Sequence, residues 1–249
     1  MDKIKIVAMS FLIILLAGPG FSQSRFRDTI NFEDNEFISM GNIEISHRYQ
    51  KFSGADPDTY DMTVLEYQLT YGVMTNFEVG LNIPIAFQKK GEQDEVGDII
   101  VSQRFKFTEE PESAFDLSGG LELILPTGDE DILIGSDDLD ARFHLTFGQS
   151  LAEDWRWLSH LGYRFYGEEE NDDLFEYDFA FSNQFSSDFK TVIELNGHSG
   201  GVPDQSEIYI SPGFIFQPRD GFSVAVSAPI GVSSDAYDHK ANFQFNIEF

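Results

Sequence analysis

From Asn42 to Phe249 the chain repeats one unit: about ten residues of alternating apolar and polar side chains, then a break. A period of two puts successive side chains on opposite faces of a β-strand, so each unit reads as a strand with one apolar and one polar face. Asn42–Phe52 sets Ile43, Ile45 and Tyr49 against Glu44, Ser46, Arg48 and Gln50, and Phe77–Gln88 runs Phe77, Val79, Leu81, Ile83, Ile85, Phe87. Leu139–Phe147, Trp155–Tyr166 and Leu174–Ser182 keep the rhythm, and Ala241–Phe249 is the last of twelve such segments. The breaks alternate too. Those after even segments, such as Gly72–Asn76 and Asn183–Asp188, are short; those after odd segments, such as Pro126–Asp138 and Gly197–Ser206, are longer and mostly acidic. Short turns at one rim and long loops at the other describe an antiparallel up-and-down sheet with both chain ends at the short-turn rim.

Two architectures use this pattern. A soluble sandwich buries the apolar face, whereas a membrane barrel turns it to lipid and keeps the polar face for a lumen. Three features favour the barrel. Aromatic residues gather near strand ends (Tyr71, Phe77, Phe107, Phe115, Trp155, Trp157, Phe165, Phe175), as interfacial girdles require. The segments match the ~9–11 residues of a tilted membrane strand. The polar face carries charges near mid-strand, among them Glu122, Arg142 and Asp178. The fold class expected is therefore all-β: a transmembrane up-and-down barrel of about twelve strands, residues 42–249. The alternation Phe243, Phe245, Ile247, Phe249 resembles the C-terminal strand of bacterial outer-membrane barrels. That likeness implies that the barrel assembly machinery reads Phe249.

Residues 1–22 have the build of a cleaved secretory signal: Lys3 and Lys5, an apolar run from Ile6 to Ala17, and small residues at Gly20 and Ser22. That run is shorter than the ~20 residues of a spanning helix. Residues 23–41 lie outside the rhythm and mix charges with Phe26, Ile30, Phe32 and Phe37. They read either as a disordered or loosely docked periplasmic leader or as a partial plug within the barrel.

Charge and cysteine content narrow the function. With 43 acidic against 16 basic residues and a net charge of −27, the chain is poorly suited to neutralising nucleic-acid phosphates. It contains no cysteine, which excludes disulfide scaffolds, Cys-ligated metals, cysteine nucleophiles and an N-terminal lipoprotein anchor. No cofactor or metal centre is expected. The long loops hold Asp56, Asp58, Asp61, Glu92, Asp94, Glu95, Asp129, Glu130, Asp131, Asp137, Asp138, Glu168, Glu169, Glu170, Asp172 and Asp173. Divalent cations could bridge such loops to lipopolysaccharide phosphates, and an acidic mouth favours cations.

The richest polar patch lies on segments six to nine: Arg142, His144, His160, Arg164, Glu176, Asp178 and Glu194. Matching hairpin partners across centred turns puts His144 opposite His160, Arg164 opposite Glu176, Asp178 opposite Glu194, and Ser182 opposite Lys190. Cross-strand charge pairs stabilise a sheet, and a ring of charge in a pore orients a permeating solute. Two histidines without a third ligand make a weak metal site. Asn196, His198 and Ser199 supply the residue types of a hydrolase, but their adjacency in a strand works against a shared active site. His47 is the histidine whose parity faces lipid. Asp137 or Asp138 with His198 is the remaining acid–histidine pairing.

Several stretches together resemble the outer-membrane transporter family labelled MetA-pathway of phenol degradation. They are Tyr71-Gly72-Val73 with Asn76-Phe77-Glu78-Val79-Gly80-Leu81 and Ile83-Pro84, then Gly97-Asp98-Ile99 with Arg104-Phe105. Leu125-Pro126-Thr127-Gly128-Asp129 follows, with Gly135-Ser136-Asp137-Asp138 and, later, Glu194-Leu195-Asn196-Gly197. The resemblance implies a porin-like barrel of the bacterial outer membrane that admits small molecules, aromatic or otherwise hydrophobic ones among them. It brings no catalytic residues.

Twelve strands lie between the ~8 that side chains fill and the ~16 that leave an open channel, so the lumen should be narrow and partly obstructed. A passive channel or transporter for small molecules in the outer membrane fits this best. A non-transporting adhesin or structural barrel working through its loops, and a barrel hydrolase, are the alternatives.

Overall fold

The computed structural model describes residues 27–32, 34–53, 63–87, 95–128, 135–167, 172–201 and 205–249. The expected signal at residues 1–22, Asp129 of the motif, and most of the acidic loop residues between 54 and 62, 88 and 94, 129 and 134, and 168 and 171 lie outside the described residues. Twelve strands form: β1 (Ile43–Ser53), β2 (Thr63–Met74), β3 (Phe77–Phe87), β4 (Ile99–Thr108), β5 (Asp116–Leu125), β6 (Asp140–Ala152), β7 (Trp155–Phe165), β8 (Asp172–Ser186), β9 (Phe189–Gly201), β10 (Gln205–Arg219), β11 (Phe222–Ser227) and β12 (His239–Glu248). Each pairs antiparallel with its chain neighbours. Glu95–Val96 and Ile230–Gly231 prolong the lines of β4 and β11 beyond short breaks. β1 also pairs with β12, which closes the sheet into a barrel. At that seam Ile43 N–H donates to Phe249 O at 3.1 Å and Phe249 N–H donates to Ile43 O at 2.8 Å.

The alternation sorts the side chains as expected. The outer wall exposes Phe107, Phe143, Leu145, Trp155, Leu161, Phe165, Phe179, Phe181 and Ile193. The interior buries Glu44, Thr70, Glu78, Arg104, Glu122, His144, Thr146, His160 and Glu194. An apolar outside around a polar inside is stable only where hydrocarbon is the outer solvent, so this is a membrane-spanning barrel. No helix among the described residues is long and apolar enough to cross a membrane.

Two expectations about the strands need correction. β8 and β10 run to 15 residues each and β9 to 13, so Asn183–Asp188 and Gly197–Ser206 are mostly strand rather than loop. The expected partners are also displaced by two residues: His160 lies opposite Thr146, Glu176 opposite Gly162, Asp178 opposite Asn196, and Ser182 opposite Val192. For His160, Asp178 and Ser182 the cause is the turn chemistry. The β6–β7 and β8–β9 links are two-residue turns, each with a bulge beside it (between Ser150 and Ala152, and between Phe189 and Lys190), whereas the expected pairing rests on centred turns. A slip of two keeps every side chain on its face while replacing its partner.

Residues 27–32 and 34–41 pack against the inner wall in the short-turn half of the barrel. The inner face of β7 to β11 is apolar at one level, where Leu158, Ala180, Val192, Ile215 and Ala225 enclose Ile30 and Phe32. Gly213 leaves the room: a Cβ there would come within 2.6 Å of the Ile30 Cδ1. The segment returns to the rim along β2, where a Cβ on Gly72 would lie 2.4 Å from the Ser39 carbonyl. Gly41, with φ of 86°, makes the bend into β1, and its N–H donates to Gly72 O at 2.7 Å.

Candidate functional site

Buried charge holds the inner segment on all sides. Glu194 of β9 accepts Ile30 N–H at 2.6 Å and also bonds the Asn31 side chain. Asp28 is met by Arg156 of β7 at 2.8 Å, by Lys190 of β9, and by the Ser182 hydroxyl at 3.2 Å. Arg104 of β4 bonds the Asp34 carbonyl and Glu78 of β3 at 2.9 Å, while Glu78 accepts Ile38 N–H at 3.0 Å. Arg27 pairs with Glu44 of β1, and Asn35 meets the Ser118 hydroxyl. The Asp34 carboxyl accepts the N–H groups of Asp28 and Glu36, a turn that fixes the segment's shape. Burial lifts this carboxyl above the ordinary range, against the pull of Arg27 and Arg104.

Several of these residues are ones that carry the family resemblance. Gly72, Glu78, Arg104 and Glu194 touch or clamp the inner segment's backbone or side chains, directly in each case. Arg156 was not singled out from the sequence, Asp28 entered only among the charges of the leader, and Lys190 only as the expected partner of Ser182. What could have flagged them is the run of inward-facing apolar residues Leu158, Ala180 and Val192, an interruption of the polar face that calls for an apolar partner inside.

Beyond the tip of the segment, toward the long-loop rim, lies a cavity of about 230 Å³. Asn31 and Phe32 form its floor, and Arg142, Asp178, His198, Tyr209, Lys240 and Asn242 are among its walls. Arg142 bonds Glu122 at 3.1 Å and Glu176 at 2.7 Å, and Lys240 reaches Glu207 at 3.5 Å while lying 3.8 Å from the Tyr209 ring centroid. Asp178 accepts the Asn196 amide at 3.2 Å.

The seven polar residues singled out from the sequence therefore separate. Arg142, Glu176 and Asp178 share the cavity. Glu194 serves the inner segment instead. His144 and His160 make an edge-on ring contact at 5.2 Å although they are not opposite in register, and His160 also meets the Phe32 ring at 5.7 Å. Arg164 does not meet Glu176; it donates to Asp140 near the long-loop rim at 3.1 Å.

Thr127 and Gly128 of the Leu125–Asp129 motif are held at that rim by a residue not singled out alone. The Asp98 carboxylate accepts the N–H groups of Thr127 at 3.0 Å and Gly128 at 2.8 Å and the Ser136 hydroxyl at 2.7 Å. Gly128 is pressed against Gly97, where a Cβ would lie 2.9 Å from its backbone. Asp98→Ala should free the loop between β5 and β6, each lost charge-assisted bond costing ~1.5–3 kcal/mol. Limited proteolysis should then cut between residues 126 and 138 at least several times faster while the barrel band keeps its heat-modifiable mobility.

The hydrolase candidates do not assemble. His198 faces the lumen whereas Ser199 has the opposite parity, and His47 meets the Tyr67 ring in a tilted contact at 4.7 Å on the outer wall, with Phe245 as its other cross-strand neighbour. Among the described residues, no hydrogen bond joins Asp137 or Asp138 to His198.

The profile of a family described as "Putative MetA-pathway of phenol degradation" matches residues 41–249. The fold is similar to that of an outer-membrane channel from Pseudomonas putida F1, with TM-score 0.70 and 12% identity over 89% of this chain and 100% of that one. It is also similar to the KdgM porin (TM-score 0.57, 12% identity, 83% and 98% covered) and the NanC porin (0.57, 8%, 83% and 98%). At these identities the likeness is one of fold. No curated protein matches the sequence.

Proposed function

The chain belongs to the family described as "Putative MetA-pathway of phenol degradation", and from that premise we propose that it is an outer-membrane channel for passive uptake of small molecules, closed at rest by its own residues 27–41. The observation that carries this reading is the seat of Ile30 and Phe32 inside the barrel, enclosed by Leu158, Ala180, Val192, Ile215 and Ala225 and flanked by the bonds to Glu194, Arg156 and Arg104. A barrel that served only as a scaffold for its loops would need no such fitted stopper. The cavity beyond the tip is the antechamber in which a solute waits, and its floor is the segment that must move. The long loops face outside the cell, and the segment enters from the periplasmic rim.

Solute selection follows from the same geometry. The antechamber is lined mainly by polar and charged groups, so a wholly apolar molecule finds few matching surfaces there beyond the Phe32 and Tyr209 rings.

The test is planar-bilayer conductance of the refolded chain against a variant lacking residues 24–38. The full chain should conduct in brief, small events. The shortened barrel should conduct steadily, with an open time at least tenfold longer, because the removed residues fill its short-turn half. Equal conductance of the two would refute closure by the segment, and silence of both would favour a structural barrel.

A further inference from the structure

The antechamber carries more acceptors than donors, and the excess is local. Its two lining cations are engaged: Arg142 by Glu122 and Glu176, Lys240 by Glu207. Asp178 is different. It is nine-tenths buried, faces the cavity, and its one hydrogen bond comes from the neutral Asn196 amide; among the described residues no cation pairs with it. A second, independent observation lies on β12. Asn242 lines the same cavity and is 5% exposed; its amide nitrogen bonds Asn31, and its Oδ1 is buried with no hydrogen-bond partner. A carboxylate without a cation and a carbonyl without a donor, on one small cavity, call for a ligand that brings positive charge and N–H groups together.

We propose, resting on the channel reading above, that the cavity over Asn31 and Phe32 binds a small organic ammonium ion whose N–H groups meet Asp178 and Asn242. The rest of the molecule is short and flat. A space of 230 Å³ equals the liquid volume of about eight waters, and the Phe32 and Tyr209 rings border it. The engaged state of Arg142 and Lys240 works against carboxylates, which would find no unpaired cation there. A primary amine on a single ring is thus the fitting probe. Because the ligand rests on the tip of the inner segment, it touches the element whose displacement opens the channel.

Isothermal titration of the refolded full chain in detergent would use benzylammonium, benzyl alcohol and benzyltrimethylammonium, three ligands that share one benzyl group, the last bulkier by three methyls. Benzylammonium should bind about tenfold more tightly than the alcohol, as expected of a charge-assisted hydrogen bond in place of a neutral one. It should also exceed the trimethyl ion, which has the charge but no N–H for Asn242. Asp178→Asn should bring amine and alcohol level. Wild-type binding of all three ligands alike overturns the proposal, and so does a folded Asp178→Asn barrel that keeps the amine preference. If that variant does not fold, the amine-to-trimethyl ratio of the wild type still decides. Conductance of the same preparation separates the two readings. A barrel that conducts without discriminating refutes the amine site alone, and one that binds the amine yet never conducts refutes the channel alone.

Discussion

Ala180→Trp is expected to turn a barrel that is mostly closed into one that is mostly open, with no residue of the inner segment removed. Ala180 has no exposed surface and lies in the apolar cluster that receives Ile30 and Phe32. Its side chain points into the lumen, so an indole there grows into the segment's volume and not into the lipid-facing wall. Burial of Ile30 and Phe32 contributes roughly 1.5–3 kcal/mol each. A shift from 1:99 to 99:1 between closed and open takes ~5.5 kcal/mol, so expelling both residues from their seat is of the right size. The readout is single-channel open probability, expected to rise from a small fraction to most of the recording. Placing the same substitution in the barrel that lacks residues 24–38 supplies the control, because there it should change little. An open probability equal to wild type in the full chain would mean that this cluster does not keep the segment in place.

Strand parity was legible along nearly the whole sequence because a membrane barrel imposes it residue by residue. Phe77, Val79, Leu81, Ile83 and Ile85 could face lipid only if Glu78, Gly80 and Asn82 faced inward, and they do. Register was not legible. It depends on whether a turn takes two residues or six and on single-residue bulges, as at Phe189–Lys190, and a displacement of two leaves no trace in the alternation. Asp178 and Glu194 accordingly had the right faces and the wrong partners.

The inner segment was half visible. Ile30, Phe32 and Phe37 in a charged stretch outside the rhythm were compatible with either a leader or a plug. The complementary signal, small and aliphatic side chains at Leu158, Ala180, Val192, Ile215 and Ala225 on the inward face, is spread over five strands. It becomes one surface only when the barrel closes. The bonds that join it to the segment, such as Ile30 to Glu194, span 164 residues of sequence, and no local pattern encodes such a pairing. The members of the candidate polar patch divide between two tasks. Asp178 borders the cavity whereas Glu194, its expected partner, two residues from its actual one, clamps the segment. Neutralising both at once would therefore alter closure and solute contact together.

The most direct measurement uses the absence of native cysteine. Ser227 on β11 donates to the Asn31 side chain at 3.0 Å, so Asn31→Cys with Ser227→Cys places two thiols side by side, one on the segment tip and one on the wall. A short, cleavable bis-thiol reagent then fastens the segment in its seat without touching the rest of the barrel. In a planar bilayer the unlinked pair should show the brief openings of the native chain, the linked barrel should fall silent, and cleavage of the linker should bring the openings back. Currents that pass unchanged through the linked barrel would contradict closure by residues 27–41, and with it the account of how this channel works.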